Sequence, residues 1–153
     1  MDDVQEKIFS TFSTVSSSLG YSEIHGRILA ALVVTDGPLS LHDLAEKTGY
    51  SVSAVSLSLD LLELVGTIRK IKNVGDRKLY IKLDGDLIAG LRSALILKVQ
   101  KDILFTLMEL EQFSHTDEKT KKMVARLKHE IERLQEYVKA LAQVDVPKAK
   151  EEA

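Results

Sequence analysis

Two short helical segments separated by Thr48-Gly49-Tyr50-Ser51 constrain the fold more than any other feature of the sequence. Residues 41–48 and 52–65 each have the apolar spacing of a helix that buries one face. Ser40 stands where a residue that caps the first of these helices is expected. Gly49 supplies the positive φ that a sharp reversal between two helices needs. The pattern predicts a helix-turn-helix.

The second helix of this pair has one buried face and one face that begins with small residues and contains no Lys or Arg. Val55, Leu59 and Leu62, at i, i+4 and i+7, form the predicted buried stripe. The opposite face begins with Ser51, Val52, Ser53, Ser56, Leu57 and Asp60, and we expect the first five of these residues to contact DNA. Hydroxyl groups can bond phosphates or base edges, and apolar side chains can contact a thymine methyl. The serines can also simply cap and solvate the helix, and capping is the main role expected of Ser51.

A β-hairpin with a basic tip is predicted directly after the helix-turn-helix. Residues 67–71 and 78–83 alternate apolar and polar side chains around the turn at 73–76. The order helix, turn, helix, hairpin is the layout of a winged helix, which puts one helix into a DNA major groove.

Charge is concentrated in this hairpin. The chain has a net charge of −2, yet residues 66–82 contain six basic residues and one Asp, a local charge of +5. Arg77, beside the tip, is predicted to enter the minor groove, and Lys72 and Lys78 to contact phosphates. The alternative is a solvated edge strand whose lysines discourage aggregation.

These motifs resemble the winged-helix regulators of the MarR superfamily. The resemblance covers residues 20–86 and includes the turn Asp36-Gly37-Pro38 and the wing tip Gly75-Asp76-Arg77-Lys78 followed by Tyr80. The wing tip is most similar to the branch that contains the glycine betaine synthesis repressor. The resemblance implies a homodimeric transcription factor with Arg77 as the wing arginine. It also implies that a small-molecule effector releases the DNA.

The N-terminal segment is predicted to be a helix with an apolar face that supports the core. An effector pocket, if placed as the resemblance implies, would lie near Phe9, Phe12 and Tyr21. Aromatic residues in such positions more often fill an ordinary core.

The C-terminal segments are predicted to form a long helix to about Phe113, followed by a final helix capped by Thr116. The final helix has apolar residues at alternating three- and four-residue spacing, which is typical of a coiled coil. The predicted dimer interface consists of Leu95, Val99, Ile103, Val124, Leu127, Ile131, Leu134, Val138 and Leu141. The alternative is an antiparallel hairpin of the two helices within one subunit.

Composition excludes several classes of function. The absence of cysteine excludes disulfides, thiolate metal sites and cysteine nucleophiles. The four histidines, His25, His42, His115 and His129, share no metal-ligand spacing, and no glycine-rich phosphate loop follows a strand. We therefore expect neither an enzyme nor a metal or cofactor. No apolar run is long enough to cross a bilayer, and a cytoplasmic location is expected.

The predicted fold class is mainly α with a small β-hairpin: a winged helix-turn-helix with long helices that form a dimerisation region. The predicted organisation is an N-terminal helix (1–20), a DNA-binding domain (21–83), a helical dimerisation region (84–144) and a disordered tail (145–153). The expected function is that of a sequence-specific, double-stranded DNA-binding regulator that acts as a repressor. The alternative is a winged helix that binds another protein instead of DNA.

Overall fold

The structure is a computed structural model that describes residues 2–19, 21–113 and 115–148. Six α-helices occur in the described residues: α1 (Asp3–Ser18), α2 (Glu23–Val34), α3 (Leu41–Thr48), α4 (Val52–Leu64), α5 (Leu87–Leu110) and α6 (Glu118–Leu141). Three strands accompany them: β1 (Leu39–Ser40), β2 (Ile68–Lys72) and β3 (Leu79–Leu83). A short 3₁₀ helix, Glu111–Phe113, follows α5.

The chain divides into two compact units, Met1–Ala94 and Leu95–Ala153. The division falls inside α5, whereas the sequence predicts a boundary after residue 83. The first turns of α5 belong to the first unit because Leu91 and Ala94 are part of its hydrophobic core.

The core of the first unit is built from the apolar faces of α2, α3 and α4. Helix α2 contributes most, since Ile28, Leu29, Ala30 and Ala31 are completely buried. Gly26 lets α1 approach α2 closely, because a Cβ there would lie 2.6 Å from the Phe12 carbonyl oxygen. This packing supports the helix-turn-helix from behind.

The small sheet has one more strand than the hairpin predicted from the sequence. The strand order is β1-β3-β2, all antiparallel, and the central Ile81 pairs with Leu39 on one side and Lys70 on the other. Strand β1 is only two residues long, too short for an alternating pattern to reveal it. It attaches the wing to the start of α3.

The predicted cap of the last helix is wrong. The last helix is capped by Asp117, whose side chain accepts a hydrogen bond from the Thr120 amide, while Thr116 donates to the Phe113 carbonyl instead. Ser22 precedes α2 but makes no side-chain cap, and its hydroxyl lies 2.7 Å from His25 Nδ1. The His25 ring is therefore the hydrogen-bond partner of the Ser22 hydroxyl, in place of a backbone amide of α2. The long helix also ends at Leu110, and Phe113 lies in the 3₁₀ turn.

The second unit contains the rest of α5, the 3₁₀ turn and α6. Ile103 and Val138 are buried, but many large apolar side chains are exposed. Lys128 of α6 donates to Glu111 at 3.2 Å. Residues 145–148 contain no helix or strand, and the predicted disordered tail otherwise falls at residues 149–153, outside the described residues.

Candidate nucleic-acid interface

The turn between α3 and α4 is held by backbone geometry and by two caps. Ser40 Oγ accepts a hydrogen bond from the Asp43 amide at 3.1 Å, as the sequence pattern predicts. Gly49 adopts φ +77°, and its amide donates to the Ala45 carbonyl. Ser51 Oγ accepts from the Ala54 amide at 3.2 Å, so the capping role expected of Ser51 is confirmed. The start of α4 is therefore rigidly set relative to α3.

Arg27 of α2 supports this turn from the core side. Its Nε donates to the Thr48 carbonyl at 3.2 Å, and its guanidinium lies 5.4 Å from the centre of the Phe9 ring. A guanidinium over an aromatic face gains electrostatic attraction while satisfying the last carbonyls of α3. Arg27 thus links α1, α2 and the helix-turn-helix.

Helix α4 buries one face and exposes the other, as predicted. Val55, Leu59 and Leu62 are completely buried. The predicted DNA-contacting residues Val52, Ser53, Ser56 and Leu57 are all exposed. Leu57 is 76% exposed, so its apolar side chain is accessible to a partner.

The wing tip is a tight turn stabilised by its own polar groups. The Asp76 amide donates to the Asn73 carbonyl, and Gly75 at the third position has φ +81°. This combination is typical of a type II turn. Asp76 Oδ1 also accepts a hydrogen bond from the Lys78 amide at 2.9 Å. The tip therefore presents Arg77 and Lys78 from an ordered backbone.

Five of the six basic residues of the wing divide into two groups. Lys70 contacts Asp60 and Glu63 of α4, at 2.8 and 3.7 Å, and Arg69 lies 3.9 Å from Asp84. Lys72, Arg77 and Lys78 are exposed, and among the residues that the structure describes no acidic side chain pairs with them. The positive charge that can act on a partner is therefore concentrated at the tip.

A cleft joins the wing to the helix-turn-helix. Its volume is about 270 Å³, and its lining is Ser40, Leu41, His42, Val52, Arg77, Lys78 and Leu79. The structure thus brings Val52, Arg77 and Lys78 together, three residues that the sequence predicts as DNA contacts. His42 was not predicted, because a single exposed histidine carries no pattern of its own.

The sequence-based prediction also missed the ion pairs between α4 and β2. The hydrogen bond that Lys70 donates to Asp60 raises the pKa of Lys70, and Glu63 adds to the effect. Asp60 falls seven residues after Ser53 on the exposed face. That spacing places Asp60 on this face from the sequence alone, whereas its contact with Lys70 depends on how β2 lies beside α4.

The three aromatic residues predicted near an effector pocket lie in or against the core. Phe9 and Tyr21 are buried members of the first unit's hydrophobic cluster, and Phe12 packs against it. The Tyr21 hydroxyl donates to the Gly90 carbonyl at 3.4 Å, and burial raises the pKa of Tyr21 to about 12.

The nine predicted dimer residues fall into three groups, of which the first, Leu95, Val99, Val124 and Ile131, is half-buried. Ile103 and Val138 are buried, whereas Leu127, Leu134 and Leu141 are each more than 40% exposed.

The described residues include no group of His, Cys, Asp and Glu suited to hold a metal ion. No described helix is both long enough and apolar enough to traverse a bilayer.

Comparison with known proteins supports the fold. Residues 15–71 match the family model of the DprA winged helix domain. A crystal structure described as a transcriptional regulator aligns with a TM-score of 0.65 at 20% identity, covering 91% of this chain and 96% of that chain. No curated protein sequence is significantly similar to the chain. The molecule is a winged helix-turn-helix protein.

Two further solved structures align less closely. One is AbsC, a MarR family transcriptional regulator from Streptomyces coelicolor, with a TM-score of 0.45 at 19% identity, covering 88% of each chain. The other is a mutant of S. aureus MepR bound to an oligodeoxyribonucleotide, with a TM-score of 0.44 at 23% identity, covering 86% of this chain and 93% of that chain.

Proposed function

We propose that this chain is a sequence-specific, double-stranded DNA-binding transcriptional regulator that represses as a homodimer. The observation that carries the proposal is the pairing of an exposed α4 face with a wing tip whose Lys72, Arg77 and Lys78 have no acidic partner among the described residues. Cationic side chains that neutralise phosphates release condensed counterions, which drives association with DNA.

In the proposed complex the first turns of α4 lie in the major groove. Ser53 and Ser56 are close enough to the capped N-terminus to bond phosphates or base edges, while Val52 and Leu57 suit thymine methyl groups. The face contains no Lys or Arg. Affinity therefore depends mainly on the wing.

The wing supplies the contacts to the sugar-phosphate backbone and the minor groove. Arg77 follows the ordered turn at the tip, and its long, always-charged side chain fits the strongly negative potential of a narrow minor groove. Lys72 and Lys78 contact phosphates on either side. The cleft beside α3 puts His42 on the same side as Arg77 and Lys78.

Homodimer formation is supported by the exposed apolar surface of the second unit. Its large exposed apolar side chains are Leu97, Leu104, Phe105, Met108, Phe113, Met123, Leu127, Leu134, Tyr137, Leu141 and Val144. Apolar exposure of this extent is characteristic of an interface. Two-fold symmetry predicts recognition helices about 34 Å apart on a pseudo-palindromic site.

Two finer parts of the proposal are supported by motif resemblance only. One is release of DNA by a small molecule that binds near Phe9, Phe12 and Tyr21. The other is kinship with the branch that contains the glycine betaine synthesis repressor, which is carried by the wing-tip residues 75–78 and Tyr80.

A second function is favoured by one observation. The exposed face of α4 carries Asp60, Glu63 and the 73%-exposed Leu64 beyond its serines, a surface suited to a protein partner as well as to DNA. Selecting bound sequences from a random pool of double-stranded DNA separates the two functions. A regulator enriches a pseudo-palindromic site, while failure to enrich any site supports the interaction module.

A further inference from the structure

The exposed face of α4 extends one turn beyond the predicted contacts. Ser53, Ser56, Leu57 and Asp60 follow the spacing i, i+3, i+4, i+7, and all four are exposed. Recognition helices of homeodomains contact bases at this same spacing. With a rise of about 1.5 Å per residue, Asp60 lies about 10 Å along the axis from Ser53, which is about three base pairs.

Asp60 is the only residue of that stripe with a strong hydrogen-bonding preference. An ionised carboxylate accepts hydrogen bonds and cannot donate them, so it selects base edges that offer amino groups. Guanine and thymine offer acceptors at the major-groove positions nearest the helix, and adenine places its N7 acceptor beside its amino group. Cytosine, through N4, is the base that best complements a carboxylate.

The carboxylate is held in a defined position. Lys70 Nζ donates to Asp60 Oδ1 at 2.8 Å, while within residues 2–19, 21–113 and 115–148 nothing donates to Oδ2. The Asp60 side chain is 69% exposed, so Oδ2 remains open to a partner. Lys70 also offsets a negative charge that would otherwise repel the phosphates flanking the groove.

We propose that Asp60 is a specificity-determining residue that accepts a hydrogen bond from a cytosine amino group in the major groove. Lys70 is the positioning residue that orients its carboxylate. This inference rests on the proposed DNA-binding function and adds the base that α4 selects.

The test compares two charge-matched variants of the full chain, Asp60→Asn and Glu63→Gln. Both remove one negative charge from α4, and both native carboxylates contact Lys70. Each protein is taken through selection from a random double-stranded DNA pool, and affinities are then measured on the selected site and on versions with each base pair changed.

The wild-type protein is expected to require cytosine at one position of each half-site. Asp60→Asn is expected to reduce discrimination at that position about tenfold, with a shift towards adenine, which pairs with an Asn amide. Glu63→Gln is expected to leave every base preference unchanged.

Two results would overturn the inference while leaving DNA binding intact. One is a wild-type site without a required cytosine in each half. The other is a uniform gain of affinity in both variants with unchanged base preference, which would make Asp60 a purely electrostatic residue. If the wild-type protein enriches no sequence, the proposed function itself fails and this inference with it.

Discussion

Lys70 on β2 donates a hydrogen bond to Asp60 on α4, with 2.8 Å between Nζ and Oδ1. This contact joins the wing to the recognition helix and removes Lys70 from the charge that can reach DNA. Glu63, 3.7 Å from the same ammonium group, strengthens the effect. The wing therefore has two roles: Lys70 joins it to α4, and its tip carries the charge that is proposed to contact DNA.

Lys70→Met is expected to weaken DNA binding several-fold, with a smaller change in salt dependence than the loss of a direct phosphate contact would cause. The substitution exposes the charges of Asp60 and Glu63 to nearby phosphates, but Lys70 itself releases no counterions from DNA. An exposed ion pair contributes about 0–1 kcal/mol, so the free energy of unfolding should change little. Fluorescence anisotropy at a series of salt concentrations measures both the affinity and its salt dependence.

The matched control is Lys72→Met on the same strand. Because Lys72 is proposed to contact a phosphate directly, its removal should reduce the slope of log affinity against log salt by about one per subunit. Equal slope changes in the two variants would show that Lys70 contacts DNA. That result would contradict the division of the wing's basic residues into a group paired with acidic residues and a group that is open to DNA.

Gly90→Ala is expected to destabilise the first unit by about 1–3 kcal/mol, the usual cost of overpacking a filled core. A Cβ at position 90 would collide with the Thr67 Cγ2 methyl. Thr67 cannot easily move, because it is 1% exposed and its hydroxyl donates to the Leu62 carbonyl at 2.9 Å. Urea denaturation measures the change in the free energy of unfolding.

Adding Thr67→Ser to Gly90→Ala provides the control. Serine keeps the hydroxyl that bonds the Leu62 carbonyl and removes the colliding methyl, so the double variant should recover part of the stability. If the double variant is less stable than the sum of the single changes, the collision is not the cause.

Stability is expected to fall as the pH drops below about 6.5, the ordinary pKa of histidine. Burial lowers the pKa of His25, and a hydrogen bond to the Ser58 backbone partly offsets this effect. Because the unfolded chain takes up the proton at a higher pH than the folded chain, His25 contributes stability above about pH 6.5 that disappears as the pH falls towards its lower folded pKa.

Replacing His25 with Gln should flatten this pH dependence between about pH 7 and pH 5, the range in which a histidine with a lowered pKa titrates. Thermal unfolding at several pH values compares the two proteins, and His42→Gln, on the exposed side of α3, is the control. An unchanged profile in His25→Gln would show that other groups dominate the pH dependence.

Leu134→Glu is expected to shift the chain from dimer to monomer at micromolar concentration. Leu134 is 42% exposed on α6, and a charge there would have to be buried without a partner in the proposed interface. Sedimentation measures the change. Leu64→Glu, at an exposed apolar position of α4, should leave the oligomeric state unaltered, and a wild-type monomer would contradict the homodimer.

Much of the fold could be predicted from the sequence because local patterns specify it. Ser40, Gly49 and Ser51 have strong backbone preferences, and they mark the helix-turn-helix without reference to the rest of the chain. Strand β1 could not be predicted, because two residues carry no periodicity and its partner β3 lies about forty residues away along the chain. The register of β1 depends on tertiary packing.

The candidate site was only partly predictable for a similar reason. Exposure of Ser53, Ser56 and Leu57 follows from helical periodicity, but the contact of Lys70 with Asp60 depends on how β2 lies beside α4. Summing the wing residues gives +5, yet two of its six cations are paired with acidic residues of the first unit. The net charge summed over the hairpin sequence is therefore larger than the charge that is available to a binding partner.

The wing tip is proposed to carry most of the energy of DNA binding, and the double variant Arg77→Ala/Lys78→Ala tests this role most directly. Affinity for the selected site should be measured across a range of salt concentrations for the wild-type and variant proteins. We expect a much weaker variant whose log affinity falls less steeply with log salt, by about one for each phosphate that is no longer neutralised. Unchanged affinity and an unchanged slope would contradict the assignment of the wing as the main DNA-contacting element.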